Sequence, residues 1–261
     1  GTGKTMLARL LAEVFLGQPV SRLESAGRFR TFHMNYFSLV EDQKSFFGPP
    51  KGIAGTGDLP ELLKAWPDAV VLLDEVEKAH PSFARALLKV FGENGAVYDP
   101  RTGRDIPTTN ATFILTSNLG KDFIAAHGAA GAEEGRECAG YAQLRDDVLA
   151  ALREPHIDGR QNFFRESELR GRLTDVLPFL PFSAAEVEAA VRGFLAAEAR
   201  AFAASPEFAH ASLAWEPQVV AALASEYPRR PEEGLRGVQV QLQARVREVL
   251  EGAVATGLLE P

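Results

Sequence analysis

Two short runs of residues have the types and spacing that phosphate chemistry needs. The chain opens Gly1-Thr2-Gly3-Lys4-Thr5, which matches the last five positions of the phosphate-binding loop G-x-x-x-x-G-K-[ST]. In that pattern the glycines let backbone N–H groups approach the phosphates. Lys4 neutralises the β- and γ-phosphates, and the Thr5 hydroxyl ligates Mg²⁺. Farther along, Ala69-Val70-Val71-Leu72-Leu73 runs straight into Asp74 and Glu75. A continuous apolar run of this length suits a strand buried on both faces, as in a parallel sheet covered by helices. Carboxylates have no place inside such a strand, so Asp74 and Glu75 belong at its carboxyl end, the edge where open α/β sheets bind ligands. The run from Ala111 to Asn118 has the same form. It sets the Asn118 amide at the same edge, where it can hold an attacking water or a γ-phosphate.

The elements that must position these residues follow from periodicity. Behind the loop, Met6, Leu7, Leu10, Leu11, Val14 and Phe15 recur at helical spacing up to Gly17. The N-terminus of that helix points at the bound anion. Arg30 to Asn35 alternates as a second strand, and Pro81 opens a helix carrying Phe83, Leu87, Leu88 and Phe91. Gly and Pro are dense from Ser45 to Pro60, which predicts an exposed, mobile loop without regular structure. The stretch from Gly92 to Pro107 reads as a second turn-rich loop, and Gly128 to Tyr141 as a low-complexity flexible insertion. Ser183 to Glu186 forms a capping box ahead of Val187, Val191, Phe194, Leu195 and Phe202. A boundary placed there gives domains 1–182 and 183–261. The second continues with a short strand at Ala211 to Trp215 and a helix opened by Pro217. Its final helix sets Leu235, Val238, Leu242, Val246 and Val249 on one face. His33 and His80 have no second ligand at metal spacing and read as structural.

The chain has 261 residues, long enough for a large domain with a smaller companion, and 46% hydrophobic residues supply a core. A net charge of −7 argues against non-specific nucleic-acid binding, which needs a basic surface. A single cysteine, Cys138, excludes an internal disulfide and favours an intracellular reducing compartment: cytoplasm, mitochondrial matrix or plastid. No apolar run is long enough to span a bilayer. The first glycine of the phosphate loop and the strand that feeds it fall outside this sequence. The expectation is therefore that the fragment binds ATP poorly, hydrolyses it with impaired activity and folds less well.

Taken in order, these pieces resemble the AAA+ ATPases of the Clp unfoldase/disaggregase family, specifically the second ATPase module of ClpB-like chaperones. The most specific parts are Leu72 to Pro81 and Leu115 to Gly120. The resemblance implies an α/β P-loop AAA+ parallel sheet flanked by helices, followed by a small, mostly helical lid domain. It implies ATP and Mg²⁺ as cofactors, a hexameric homo-oligomeric ring, a part in the stress response, and unfolded or aggregated proteins as substrates, with neither nucleic acid nor membrane as partner. Gly1, Thr2, Gly3, Lys4, Thr5, Met6 and Asp74 would hold the nucleotide, with Thr5 and Asp74 at the metal. Glu75 would polarise the attacking water and Asn118 would sense the γ-phosphate. Glu168-Leu169-Arg170-Gly171-Arg172-Leu173 resembles the stretch that carries the arginine finger, with Arg172 in register and Arg170 its rival. Gly234-Leu235-Arg236 resembles the family's Gly-Ala-Arg, making Arg236 a second sensor. Lys51-Gly52-Ile53-Ala54-Gly55 resembles the substrate-gripping pore loop, with Ile53 where the family carries an aromatic. An isoleucine offers less contact area than a tyrosine, so threading is expected to be weakened. The competing expectation is a ring-assembly module that binds nucleotide without threading.

Overall fold

The computed structural model describes residues 3–53, 55–132, 139–157, 159–205, 212–227 and 234–256. They fall into two compact units, Gly3–Phe179 and Leu180–Pro261, a division three residues ahead of the boundary expected from the capping box. The first unit runs α1 (Lys4–Leu16), α2 (Val20–Ala26), β1 (Phe29–His33), α3 (Gln43–Phe47), α4 (Asp58–Ala65), β2 (Val70–Asp74), α5 (Ser82–Val90), β3 (Ala96–Asp99), β4 (Arg104–Pro107), β5 (Thr112–Leu115), α6 (Lys121–Ala132), α7 (Ala139–Ala151), β6 (His156–Ile157), β7 (Arg160–Gln161) and α8 (Ser167–Arg170). The second holds α9 (Ala184–Ala203), α10 (Pro217–Ala224) and α11 (Gly234–Ala255).

β1, β2 and β5 form a parallel sheet in the order β1-β2-β5. The apolar run of β2 lies at its centre because both faces are covered. Val70 and Leu72 pack with Ala8, Ala12, Leu23 and Phe29 under α1 and α2. Val71 and Leu73 face the opposite layer, where Phe32, Phe37, Phe46 and Phe83 meet edge to face or tilted. Such ring pairs add to their area burial because each positive edge meets a negative face.

Several expectations need correction. The side of α1 turned to the sheet is Ala8 and Ala12, whereas Met6, Leu10, Val14 and Phe15 are exposed. Small residues let the helix approach the sheet closely, while Leu16 at its end packs against the same cluster. The Gly/Pro-rich stretch is framed by structure. Ser45 to Phe47 end α3 with Phe46 fully buried, and α4 starts at Asp58. Residues 128–132 and 139–141, read as part of a flexible insertion, are the end of α6 and the start of α7. Cys138 and Ala54 lie outside the described residues, as do Gly1 and Thr2.

The stretch read as a loop from Gly92 to Pro107 contains an antiparallel hairpin, β3 on β4, with Asp99 paired to Arg104. Its turn is organised by the buried Asp99 carboxylate, which accepts from the Thr102 hydroxyl (2.8 Å), the Arg101 amide (2.9 Å) and the Lys64 ammonium (3.2 Å). These donors, Thr102 foremost, hold its pKa down to about 2 from 3.8, against burial, which pushes it up. A carboxyl depressed by folding stabilises the fold above its unfolded pKa and stops doing so as pH falls through its folded one. Wild type is therefore expected to be more resistant to urea than Asp99→Asn at neutral pH. The gap in midpoints should close between about pH 4 and about pH 2, and a gap independent of pH would refute the assignment.

In the second unit, Ser183 and Glu186 form the reciprocal cap foreseen for α9: the Ser183 amide donates to the Glu186 carboxylate at 2.8 Å and the Glu186 amide to the Ser183 hydroxyl at 3.3 Å. Val187, Val191 and Leu195 pack with Val220, Leu223, Val238 and Leu242. Val249, placed on the apolar face of α11, is exposed, and residues 212–216 form no strand.

Candidate functional site

Parallel pairing brings the chemistry to one edge. The register sets His33 beside Asp74 and Leu73 beside Leu115, so β1, β2 and β5 all end at the same side. Asp74 is the last residue of β2, and Glu75 follows it with φ +57°, the only non-glycine residue of positive φ among the described residues. Such a conformation costs an L-residue about 1–2 kcal/mol. Thr116 helps to hold this turn. Its hydroxyl donates to Asp74 Oδ1 at 2.7 Å and accepts from the Glu75 amide at 3.0 Å, while its carbonyl accepts from the Val76 amide at 3.0 Å.

Lys4, Glu75 and Asn118 form a connected chain. Lys4 Nζ donates to Asn118 Oδ1 at 2.6 Å and to the Ser117 carbonyl at 2.8 Å. Asn118 Nδ2 donates to Glu75 Oε1 at 2.8 Å. A lysine only donates and a carboxylate only accepts, so these partners fix which end of the amide faces which. The Asn118 backbone amide donates to Glu77 Oε1 at 3.1 Å, leaving Glu77 Oε2 buried with no hydrogen-bond partner among the described residues. Burial pushes the Lys4 ammonium below its usual range, and the negative charges of Glu77, Glu75 and Asp74 oppose that shift.

Lys4 opens α1 directly behind Gly3, whose φ of +93° is a left-handed conformation that glycine adopts without strain. Among the described residues no side chain caps the first turn of α1. An uncapped helix start next to a lysine suits an anion with several oxygens. Thr5 and Asp74 present hard oxygen donors, the kind Mg²⁺ prefers, so the residues present fit that cation. Met6 follows on α1, exposed.

The remaining sequence candidates stand on other elements. Arg170 Nη1 donates to the carbonyls of Phe164 (2.8 Å), Arg165 (2.6 Å) and Leu152 (3.3 Å), so its guanidinium is occupied within its own fold. Arg172, just beyond α8, is exposed, and among the described residues no hydrogen bond or ion pair engages its side chain. Lys51, Gly52, Ile53 and Gly55 lie on the loop between α3 and α4, with Lys51 Nζ 5.1 Å from the centre of the Tyr98 ring and Ile53 55% exposed. Arg236 is exposed on the first turn of α11 in the second unit. His80 Nδ1 lies 2.7 Å from the Ser82 hydroxyl at the start of α5. His33 is not isolated as its sequence context suggested, since its Nδ1 lies 3.3 Å from Asp74 Oδ2. Thr116 and Glu77 were given no role from sequence, although both stand inside the two most specific strings. Among the described residues no cluster of three His, Cys, Asp or Glu forms a metal site, and no helix is long and apolar enough to cross a membrane.

Comparison with known proteins agrees with this architecture. The family model of the AAA domain (Cdc48 subfamily) matches residues 1–176. The mitochondrial disaggregase of Rattus norvegicus is 30% identical over 276 residues, covering 99% of this chain and 38% of that protein. The negative regulator of genetic competence ClpC/MecB of Bacillus subtilis is 33% identical over 156 residues, covering 59% of this chain and 18% of that protein. A closed-state cryo-EM reconstruction of Hsp104 with ATPγS and FITC casein superposes with a TM-score of 0.69 at 22% identity, over 98% of this chain and 40% of that one. The parallel sheet flanked by helices is thus the fold of that chain. The present chain spans about two fifths of the mitochondrial disaggregase it matches.

Proposed function

We propose, for a chain that belongs to the AAA domain family (Cdc48 subfamily), ATP hydrolysis coupled to the unfolding or disaggregation of protein substrates. The observation that carries this reading is the Lys4–Asn118–Glu75 chain beside Asp74, at one edge of a parallel sheet. Lys4 exchanges the oxygens of Asn118 and Ser117 for phosphate oxygens. Asn118 then turns its amide to the γ-phosphate and gives up its hold on Glu75, which accepts a proton from the attacking water. Mg²⁺, when bound by Thr5 and Asp74, supplies positive charge against the phosphate oxygens.

Arg172 is the better candidate for the finger because it is exposed and uncommitted among the described residues, whereas Arg170 holds three carbonyls. A finger reaches a neighbour's nucleotide only in an assembly, and head-to-tail contacts that close give a ring. Hexameric assembly, an intracellular reducing compartment and protein substrates belong to this proposal, as do the second-sensor role of Arg236 and the gripping role of the loop around Ile53. The relatives' names support the substrate class: one is a disaggregase, and the Hsp104 reconstruction contains casein.

The test is an assembled ring of the protein given a stably folded fluorescent substrate with an unstructured tag. ATP-dependent loss of fluorescence is expected, and intact ATPase without unfolding would overturn the coupling. The exposed aliphatic Ile53 favours one second reading, an ATPase ring that assembles but does not thread. Unfolding that appears only with Ile53→Tyr would establish it.

A further inference from the structure

The loop between α3 and α4 and the turn of the β3–β4 hairpin are packed as one surface. The loop is pinched at its base, where a Cβ on Gly57 would overlap the Gly48 amide nitrogen. A Cβ on Gly48 would stand 2.8 Å from Cγ of Pro100, which sets the hairpin turn against the same base. Farther out, Lys51 Nζ lies over the Tyr98 ring, 5.1 Å from its centre. The Tyr98 hydroxyl in turn reaches to 4.0 Å from where a Cβ of Gly103 would sit. Two ion pairs tie the hairpin turn to α4, Lys64 to Asp99 at 3.2 Å and Arg101 to Glu61 at 2.9 Å. From this anchored base the loop holds out Ile53, exposed to solvent.

The charge of this surface is opposite to that of the chain. Gly48 to Gly57 and Pro100 to Arg104 contain Lys51, Arg101 and Arg104 and no acid, in a chain of net charge −7. The acids flanking the turn are committed: Asp99 is buried on Lys64, and Asp105 pairs with Lys89 at 2.9 Å. Lys51 and Arg104 are exposed, and among the described residues neither has a carboxylate partner. We propose that the loop and the hairpin turn form a substrate-selecting surface that prefers acidic stretches of polypeptide: Ile53 presses on an extended segment while Lys51 and Arg104 pair with its Asp or Glu side chains. The inference rests on the protein-substrate reading above and adds to it which segments the loop takes. Single-stranded nucleic acid is anionic too, but its bases need open aromatic faces to stack on. The ring at this surface, Tyr98, carries Lys51 on its face.

The experiment measures, by fluorescence anisotropy, the binding of three labelled peptides of equal length to the assembled ring in ATPγS. The peptides share one set of apolar positions and carry Glu, Gln or Lys at all the others. The Glu peptide is expected to bind about 3–10-fold more tightly than the Gln peptide, as two exposed ion pairs provide, and the Lys peptide more weakly than either. At about 1 M salt the preference should vanish, because exposed charges are then screened within about 3 Å. Lys51→Gln with Arg104→Gln should level the three affinities, and Lys51→Glu with Arg104→Glu should turn the preference towards the Lys peptide, a gain that a misfolded ring cannot give. Equal binding of the three peptides by wild type, or a Glu preference kept by the charge-reversed ring, overturns the inference and leaves the protein-substrate reading standing. Tighter binding of an equally long oligothymidylate than of the Glu peptide overturns the choice of polypeptide as occupant. Failure of wild type to bind any of the peptides overturns the protein-substrate reading and this inference with it.

Discussion

Glu75→Gln is expected to lower ATP turnover by about 10²–10⁴-fold, the range of a positioned general base, while nucleotide binding stays near that of the wild type. The substitution is nearly isosteric. The glutamine amide would keep an oxygen for Asn118 Nδ2, which in the wild type donates to Glu75 Oε1 at 2.8 Å, so the chain from Lys4 through Asn118 survives. What is lost is the capacity to take a proton from water. Single-turnover hydrolysis and calorimetric titration with ATP separate these two properties. Turnover within a few-fold of wild type would remove Glu75 from the chemistry. Loss of binding would instead mean that its carboxylate, at φ +57° beside Asp74, holds the loop together.

The second large effect is expected at Arg172. In assemblies made only of Arg172→Ala, hydrolysis should fall by about 10³–10⁵-fold with ATP affinity preserved, as for the loss of an arginine finger. The control is Arg170→Ala, which removes the side-chain donor from the carbonyls of Phe164 and Arg165, whereas the Leu152 carbonyl keeps Asn162 Nδ2 at 2.8 Å. The Phe164 carbonyl is part-buried and loses its donor, so this variant should melt lower than wild type. Mixed assemblies sharpen the test. Wild-type subunits diluted with Arg172→Ala should lose activity in proportion to the neighbours that lack the finger. If Arg170→Ala abolishes turnover without a change in melting, and Arg172→Ala does not, the two roles are exchanged.

The sheet edge was legible because its signal is local. Five apolar residues from Ala69 to Leu73 followed by two acids admit few placements, and the structure sets Asp74 at the end of β2 with both faces of the strand covered. Asn118 was legible for the same reason. The contacts of Thr116 and His33 were not, because they come from pairing. His33 meets Asp74 only through its register with β2, and nothing in the sequence near His33 announces which strand it will lie beside. The β3–β4 hairpin was hidden by its own turn. Pro100 and Gly103 read as loop, while the carboxylate that folds the turn, Asp99, looked like any other acid beside a proline. The inward side of α1 was misjudged because periodicity marks large apolar residues, and a tightly packed helix can turn its alanines to the sheet instead.

At Asn118, one small planar group answers to two masters of opposite charge. A hydroxyl in its place could rotate and serve either neighbour independently, whereas an amide has distinct ends on a rigid plane and must swing as a whole. Any event that draws the Lys4 ammonium away is therefore felt at Glu75 without passing through the backbone. Sensing and chemistry share a hinge only one side chain wide.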